Sequence, residues 1–370
     1  MTPNRLTPTD NNRPPTGPAD WIPHSRPMVG AEEARAAAEV VASGNLAEGE
    51  VTAAFEGALA GYLGLPHAVA LGSGTAALCL TLAALGIGPG DEVIIPSFVC
   101  AALLNAVEHT GAAAVPADID PRTLNIDPAD VRRRLTARTK AVVVPHMFGL
   151  AADMDALLGL GVPIVEDCAQ AVGGSRGGRP LGALGAAAVF SFYATKVMTT
   201  GEGGMIATRS GKLAQRVRDL KGTDGRPDHR QRYNFKLTEM QAAIGLVQLS
   251  RLPGFIDRRR EIARRYAQAL RHLPVDLPPE DPDHIFFRFV IRLGRGAGEF
   301  LRRARARGIA CERPVFRPLH RLLGLDGYPA TEQAFRRCVS IPIYPALSDR
   351  QVERIAAAVA ESLPRTRRRQ

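Results

Sequence analysis

Apolar residues along this chain fall into short unbroken runs, set apart by glycine turns and by stretches with helical spacing. The runs Ala68–Leu71, Glu92–Pro96, Ala112–Asp118, Ala141–Pro145, Val162–Val165 and Ala186–Phe192 predict strands buried on both faces. Between them, Glu32–Ala42, Ala53–Leu63, Ala76–Leu85, Val99–His109, Pro128–Leu135 and Asp153–Leu160 predict helices. Ser43-Gly44 and Gly64 stop the first two. Strand and helix alternate, so the fold class is α/β: a mainly parallel, doubly wound sheet with helices on both faces.

The texture changes further on. A helix over Glu239–Leu249 is expected to break at Pro253-Gly254, and Asp257–Leu270 reads as a long basic helix linking two domains. Phe286–Leu293 alternates as a half-buried strand, followed by helices at Phe300–Gly308 and Arg350–Leu363. The expected division is a disordered tail over 1–20, a large α/β domain over 21–252, a smaller α+β domain over 253–364 and a basic tail over 365–370. No internal repeat is evident.

Composition narrows the class. The hydrophobic fraction is 45%, ordinary for a globular chain, and no apolar run is long enough to span a bilayer. Nor does a charged stretch followed by an apolar one open the sequence. The 5 cysteines are odd in number and never fall in Cys-x-x-Cys, which argues against a disulfide framework and a metal site and fits a reducing cytoplasm. The formal charge of +10 is spread thinly except at Arg365–Arg369, without the aromatic interleaving of a nucleic-acid-binding surface. Neither nucleic acid nor membrane is an expected partner, while scattered arginines could attract an anionic substrate.

The candidate chemistry gathers at strand ends, where ligands of doubly wound sheets bind. Gly72-Ser73-Gly74-Thr75 joins a strand to a helix whose first N–H groups are unpaired, an arrangement suited to phosphate. The run at Val162 ends in Glu166-Asp167. The run at Ala186 ends close to Lys196, with Gly201-Glu202-Gly203-Gly204 just beyond. Asp167 and Glu166 point to opposite faces because strand side chains alternate. An acid at one strand end and a lysine past another is what a pyridoxal phosphate (PLP) site needs. The acid keeps the pyridine nitrogen protonated, and the lysine holds the cofactor as a Schiff base and moves protons. Lysines are scarce (Lys140, Lys196, Lys212, Lys221 and Lys236), so few compete with Lys196. A nicotinamide-binding turn at Gly72-Ser73-Gly74 is disfavoured: Ala77 stands where the third glycine belongs, and Lys196 goes unexplained.

Five segments together resemble the sugar aminotransferases of the DegT/DnrJ/StrS type, within the fold-type I PLP enzymes. They are Ser73–Leu78, Val165–Gln170, Thr199–Gly204, Tyr233–Lys236 with Gln241–Gly245, and Pro318-Leu319-His320 with Ile341–Pro345. The resemblance runs from about Ile22 to Leu363 and implies an aspartate-aminotransferase-like fold. It implies catalytic roles for Lys196, Asp167 and His320. Gly74, Thr75, Ala76 and Ser191 would hold the cofactor phosphate, Gln170 would sit near the ring 3-hydroxyl, and Asn234 would reach the phosphate from the partner subunit of a homodimer. The donor would be L-glutamate or L-glutamine, and the acceptor a nucleotide-linked keto-sugar or a keto-cyclitol. A related branch that dehydrates sugars carries histidine in place of the lysine; Lys196 argues against that reaction. Two positions depart from the pattern. Cys100 stands where an aromatic residue usually covers the ring, and Tyr193 replaces a common histidine. As residue types, Cys100 and Cys168 are expected to be small buried side chains.

Overall fold

The computed structural model describes residues 21–223 and 228–363; the expected tails at 1–20 and 365–370 lie outside them. Nine strands come first: β1 (His67–Leu71), β2 (Glu92–Pro96), β3 (Ala113–Ala117), β4 (Thr139–Pro145), β5 (Ile164–Asp167), the short pair β6 (Ser175–Arg176) and β7 (Arg179–Pro180), β8 (Ala187–Ser191) and β9 (Gly204–Thr208). Seven of them form the main sheet in the order β1-β9-β8-β5-β4-β2-β3. β9 runs antiparallel to both neighbours and the other pairings are parallel. The mainly parallel expectation therefore holds with one reversed strand.

Alternation along the strands supplies both faces. Val69 and Leu71 of β1 join a core with the helices Gly74–Ala84 and Ala102–Glu108. Ala68 and Ala70 face the opposite way, with Ala188 and Phe190 of β8, onto the helix Glu50–Leu63 and the first half of the helix Glu239–Leu270. β1 and β8 are both antiparallel to β9, so they share the direction of β5 and β2. Leu71, Pro96, Asp167 and Ser191 consequently end their strands at one edge of the sheet.

A second sheet of three antiparallel strands follows: β10 (Val275–Asp276), β11 (Phe289–Leu293) and β12 (Cys338–Ile341). Its core includes Ile262, Tyr266 and Leu270 from the long helix, and also Ile22. Ile22 bridges Ile309, and His24 bonds to Ser340 at 2.8 Å, so the first described residues pack on this second sheet rather than on the main one.

The expected break at Pro253 does not occur: Glu239–Leu270 is one helix of 32 residues. A helix-interior proline costs about 3 kcal/mol. Leu252, Phe255 and Ile256 beside it are all buried, and each contributes roughly 1.5–3 kcal/mol, so packing outweighs the lost backbone bond.

Candidate active site

Asp167 ends β5 between β4 and β8 and is only 6% exposed. Its Oδ1 accepts the Ala169 N–H at 2.9 Å, and its Oδ2 accepts no hydrogen bond among the described residues. Burial raises its pKa; the Ala169 N–H, the Lys196 charge and His146 oppose the rise. Glu166 points the other way, as alternation requires. It is fully buried and accepts from Gly182, Leu184, Gly185 and His146, which together hold it below the usual carboxylate range against its burial. His146 Nδ1 accepts the Ala152 N–H, so the ring proton sits on Nε2 and is donated to Glu166. Neighbouring Cys168 is buried, as expected, and the oxygens of Glu166 are already taken by these donors.

Lys196 follows β8 in a turn closed by its own N–H on Tyr193 O at 2.9 Å. Its Nζ lies 5.6 Å from the centre of the Phe287 ring. Desolvation depresses its pKa; Asp167 and Cys100 oppose this, and Arg288 adds to it. A lysine held below its ordinary value presents more free amine at neutral pH, as a nucleophile needs.

The Gly72–Thr75 turn abuts the end of β8. A Cβ on Gly74 would lie 2.7 Å from Ser191 Cβ, so only glycine lets the helix start approach the serine so closely. Gly204, the first residue of β9, presses on the same turn from below: a Cβ there would collide with Ser73 O and the Gly74 amide. This explains the glycine at 204 better than a loop role does. Ser73 caps the helix Gly74–Ala84 by accepting the Ala76 N–H at 3.1 Å. Ala76 was expected to offer that N–H to phosphate; here it is engaged by the cap. The amides of Gly74 and Thr75 and the Ser191 hydroxyl have no partner among the described residues.

Gln170 Oε1 accepts the Phe148 N–H at 3.0 Å, leaving its NH2 group unbonded among the described residues. Phe148 adopts a left-handed backbone (φ 60°) and Phe286 another (φ 51°), conformations that side chains resist. The two segments are joined: Ile285 N–H donates to Gly149 O at 3.0 Å and Arg288 N–H to Phe148 O at 3.4 Å.

Cys100 is exposed, which corrects the expectation that it is a buried side chain. It opens on the cleft near Lys196 and Asp167. Desolvation pushes its thiol up, Lys196 opposes and Asp167 adds to the rise. Tyr193 is also exposed, at 46%. Asn234 is exposed too, on a segment whose Phe235 O accepts the Gly72 N–H at 2.8 Å. Its side chain bonds to nothing among the described residues.

His320 is a different case. It is buried, stacked on Tyr328 with ring centres 4.8 Å apart, and both ring nitrogens are engaged: Nδ1 with Ser97 Oγ at 2.6 Å and Nε2 with Glu332 at 3.0 Å. In this arrangement His320 clamps the turn after β2 to the short helix Leu319–Leu322, whose Leu319 N–H also donates to Ser97 O. Sequence reasoning missed His146, Phe148, Phe287 and Arg288. Only Arg288 carried a signal, as a lone charge in the aromatic run Phe286-Phe287-Arg288-Phe289.

Residues 27–360 match the model of the DegT/DnrJ/EryC1/StrS aminotransferase family, and the chain belongs to that family. Among its relatives, GDP-perosamine synthase of Caulobacter vibrioides is 37% identical over 331 residues, 84% of this chain and 89% of that protein. The crystal structure of DesV from S. venezuelae in complex with a ketimine intermediate is 37% identical, with a TM-score of 0.86 over 90% of this chain and 95% of that one. Spr1654 of Streptococcus pneumoniae in its PLP form is 27% identical with a TM-score of 0.88, covering 93% and 98% of the two chains. The protein is a PLP-dependent aminotransferase with the aminotransferase fold. Its residues fit that cofactor: a glycine cradle that a Cβ would fill, a buried carboxylate with one oxygen unpaired, and a lysine whose pKa is depressed by desolvation, an effect that carboxylate opposes. Among the described residues, no helix is long and apolar enough to cross a membrane.

Proposed function

We propose that this enzyme transfers an amino group from L-glutamate or L-glutamine to a nucleotide-linked keto-sugar, as a homodimer. The observation that carries the reading is the meeting of Lys196, Asp167, Gly74 and Ser191 at one sheet edge, with the outer oxygen of Asp167 left for a ring nitrogen. PLP supplies an electron sink for negative charge at the carbon bonded to the transferred nitrogen.

The chain's own residues do the rest. Asp167 holds a proton at the ring nitrogen. Lys196 would anchor the cofactor through Nζ; once the donor's nitrogen displaces it, the freed amine would take the proton from the donor carbon and deliver it to the cofactor carbon on the other side of the transferred nitrogen. The Gly74 and Thr75 amides and the Ser191 hydroxyl bind phosphate at the positive end of the helix. The Gln170 NH2 group donates to the ring 3-oxygen, and Cys100 lies against a ring face that an aromatic side chain would otherwise cover. Asn234, exposed and unbonded, completes the phosphate site of a second copy. The nucleotide-linked acceptor is favoured over a keto-cyclitol by likeness to GDP-perosamine synthase, whose product carries a nucleoside diphosphate.

Two experiments test this. Borohydride reduction and peptide mapping should tag Lys196; a tag elsewhere, or none, would sink the assignment. The pyridoxamine phosphate form should regain its original absorbance with nucleotide keto-sugars and not with keto-cyclitols. The reverse preference would move the acceptor to the cyclitol class.

A further inference from the structure

We propose that Asn125 is a positioning residue for the cofactor: by clamping the loop after β4 it fixes which end of the Gln170 amide faces the ring, a role that rests on the PLP placement above. Asn125 is 2% exposed, and its side chain makes three hydrogen bonds to that loop. Its Oδ1 accepts the Met147 N–H at 2.8 Å, and its Nδ2 donates to Leu150 O and Ala151 O, each at 3.2 Å. One partner is a donor and two are acceptors, so only this orientation of the amide satisfies all three.

The loop is strained where it meets Gln170. Among the described residues, only Leu124, Phe148 and Phe286 have left-handed backbones without being glycine. All three lie in one seam. Leu124 precedes Asn125, Phe148 stands inside the clamped loop, and Phe286 belongs to the segment whose Ile285 N–H donates to Gly149 O at 3.0 Å. Gly149 is pressed between that segment and Gln170: a Cβ there would lie 2.6 Å from Ile285 Cγ1 and 3.3 Å from Gln170 O. Conformations of this kind persist where the surroundings over-determine them.

Turning over the Met147–Phe148 peptide would relieve Phe148. It would also withdraw the N–H that Gln170 Oε1 accepts at 3.0 Å and present the Met147 carbonyl instead. The Gln170 amide would then reverse, and an oxygen rather than an NH2 group would face the ring 3-oxygen. Asn125 opposes this by gripping the chain on both sides of that peptide, the Met147 N–H before it and the Leu150 and Ala151 carbonyls after it. The Leu150 N–H, bonded to Met147 O at 3.0 Å, adds to the hold.

A double-mutant cycle tests the path. An NH2 donor on the 3-oxygen competes for the proton this oxygen shares while the cofactor is held by Lys196. Losing that donor raises the pH at which the absorbance of the bound cofactor changes. In Q170L this midpoint should rise by about 1 unit. N125A should raise it by about half as much or more, yet by less than about 0.2 unit when added to Q170L. Burial keeps the carboxyl of N125D protonated, so N125D retains the acceptor for Met147 and should fall between wild type and N125A. It carries the same test if N125A does not fold. A purely structural clamp would lower Tm without moving the midpoint, and that result overturns the proposal. So does an equal rise with and without Q170L. In the PLP-free protein, hydrogen exchange over residues 147–151 should be at least about tenfold faster in N125A, and unchanged protection would remove the clamp. An unmoved midpoint in Q170L itself would sink the placement of Gln170 and the proposal with it. The expected shifts in an enzyme that aminates no keto-sugar would support the clamp and sink only the acceptor reading.

Discussion

Adjacent carboxylates on β5 should give opposite results when each is made an amide. Glu166 accepts from Leu184 and Gly185 at 2.7 Å each on Oε1, and from Gly182 at 2.9 Å and His146 at 3.0 Å on Oε2. His146 must donate, because its other nitrogen accepts from Ala152. In Glu166→Gln one end of the side chain still accepts two bonds, but the other becomes an NH2 group facing two donors. Two bonds to a buried charge are lost, at about 1.5–3 kcal/mol each, so the expected destabilisation is about 3–6 kcal/mol. At about 2 °C per kcal/mol for a chain of this size, Tm should fall by roughly 6–12 °C. In Asp167→Asn the buried charge vanishes and one hydrogen bond from Ala169 is kept. The PLP-free protein should melt at or above the wild-type temperature, while PLP binding and activity are lost. Differential scanning calorimetry of the PLP-free proteins, with absorbance titration of PLP, reads both effects. The pH dependence follows from the shifts. Glu166 is depressed in the folded state, so its stabilisation is present above the ordinary carboxylate range and lost as pH falls; the gap between wild type and Glu166→Gln should narrow in acid. Asp167 is raised, so any stability tied to its proton is present in acid and lost as pH rises through its folded value. If Glu166→Gln melts within 1 °C of wild type, or Asp167→Asn falls as far, the assignment of the two faces is wrong.

Gly204→Ala would push the Ser73–Gly74 turn off Ser191, and PLP affinity should fall at least about tenfold with little change in secondary structure; unchanged affinity measured by absorbance titration would refute the cradle. His320→Gln should lower stability by about 2–3 kcal/mol while kcat stays within about threefold, because the ring is a clamp. A hundred-fold loss of kcat at unchanged Tm would place His320 in catalysis instead. His24 and His284 are both held neutral by burial, with folded pKa values of about 4 against 6.5. Between those values the unfolded chain binds more protons, so their stabilisation is present above pH 6.5 and lost as pH falls toward 4. Melting curves should show Tm falling across that window, less steeply in His24→Gln; a flat wild-type profile would contradict it.

The parts legible in the sequence are those written in local pattern. β2, β4 and β8 are continuous apolar runs because neighbours cover both faces, and Asp167 and Lys196 stand out as charges at the ends of such runs. β9 was hidden because its first residue, Gly204, reads as part of a turn; its smallness answers to Ser73, 131 positions away, contact that no window can see. The same blindness affects His320. Its partner Ser97 lies 223 residues away, and only the fold reveals that both nitrogens are occupied. Pro253 misled in the other direction: a strong local breaker is overruled by burial on both sides. For Cys100, residue type alone points to burial, but the strand–helix connection that carries it ends exposed at the cleft.

The 32-residue helix that passes through Pro253 also constrains protein engineering. At 1.5 Å per residue it is a rod of about 48 Å, with its front half set in one core and its rear half in the other. Chimeras that trade acceptor preference between relatives must not be spliced at the point where the primary structure suggests a border. Crossovers before Thr238 or after Arg271 would carry the rod over whole, whereas a junction at Leu252 would graft together two half-helices selected against different neighbours.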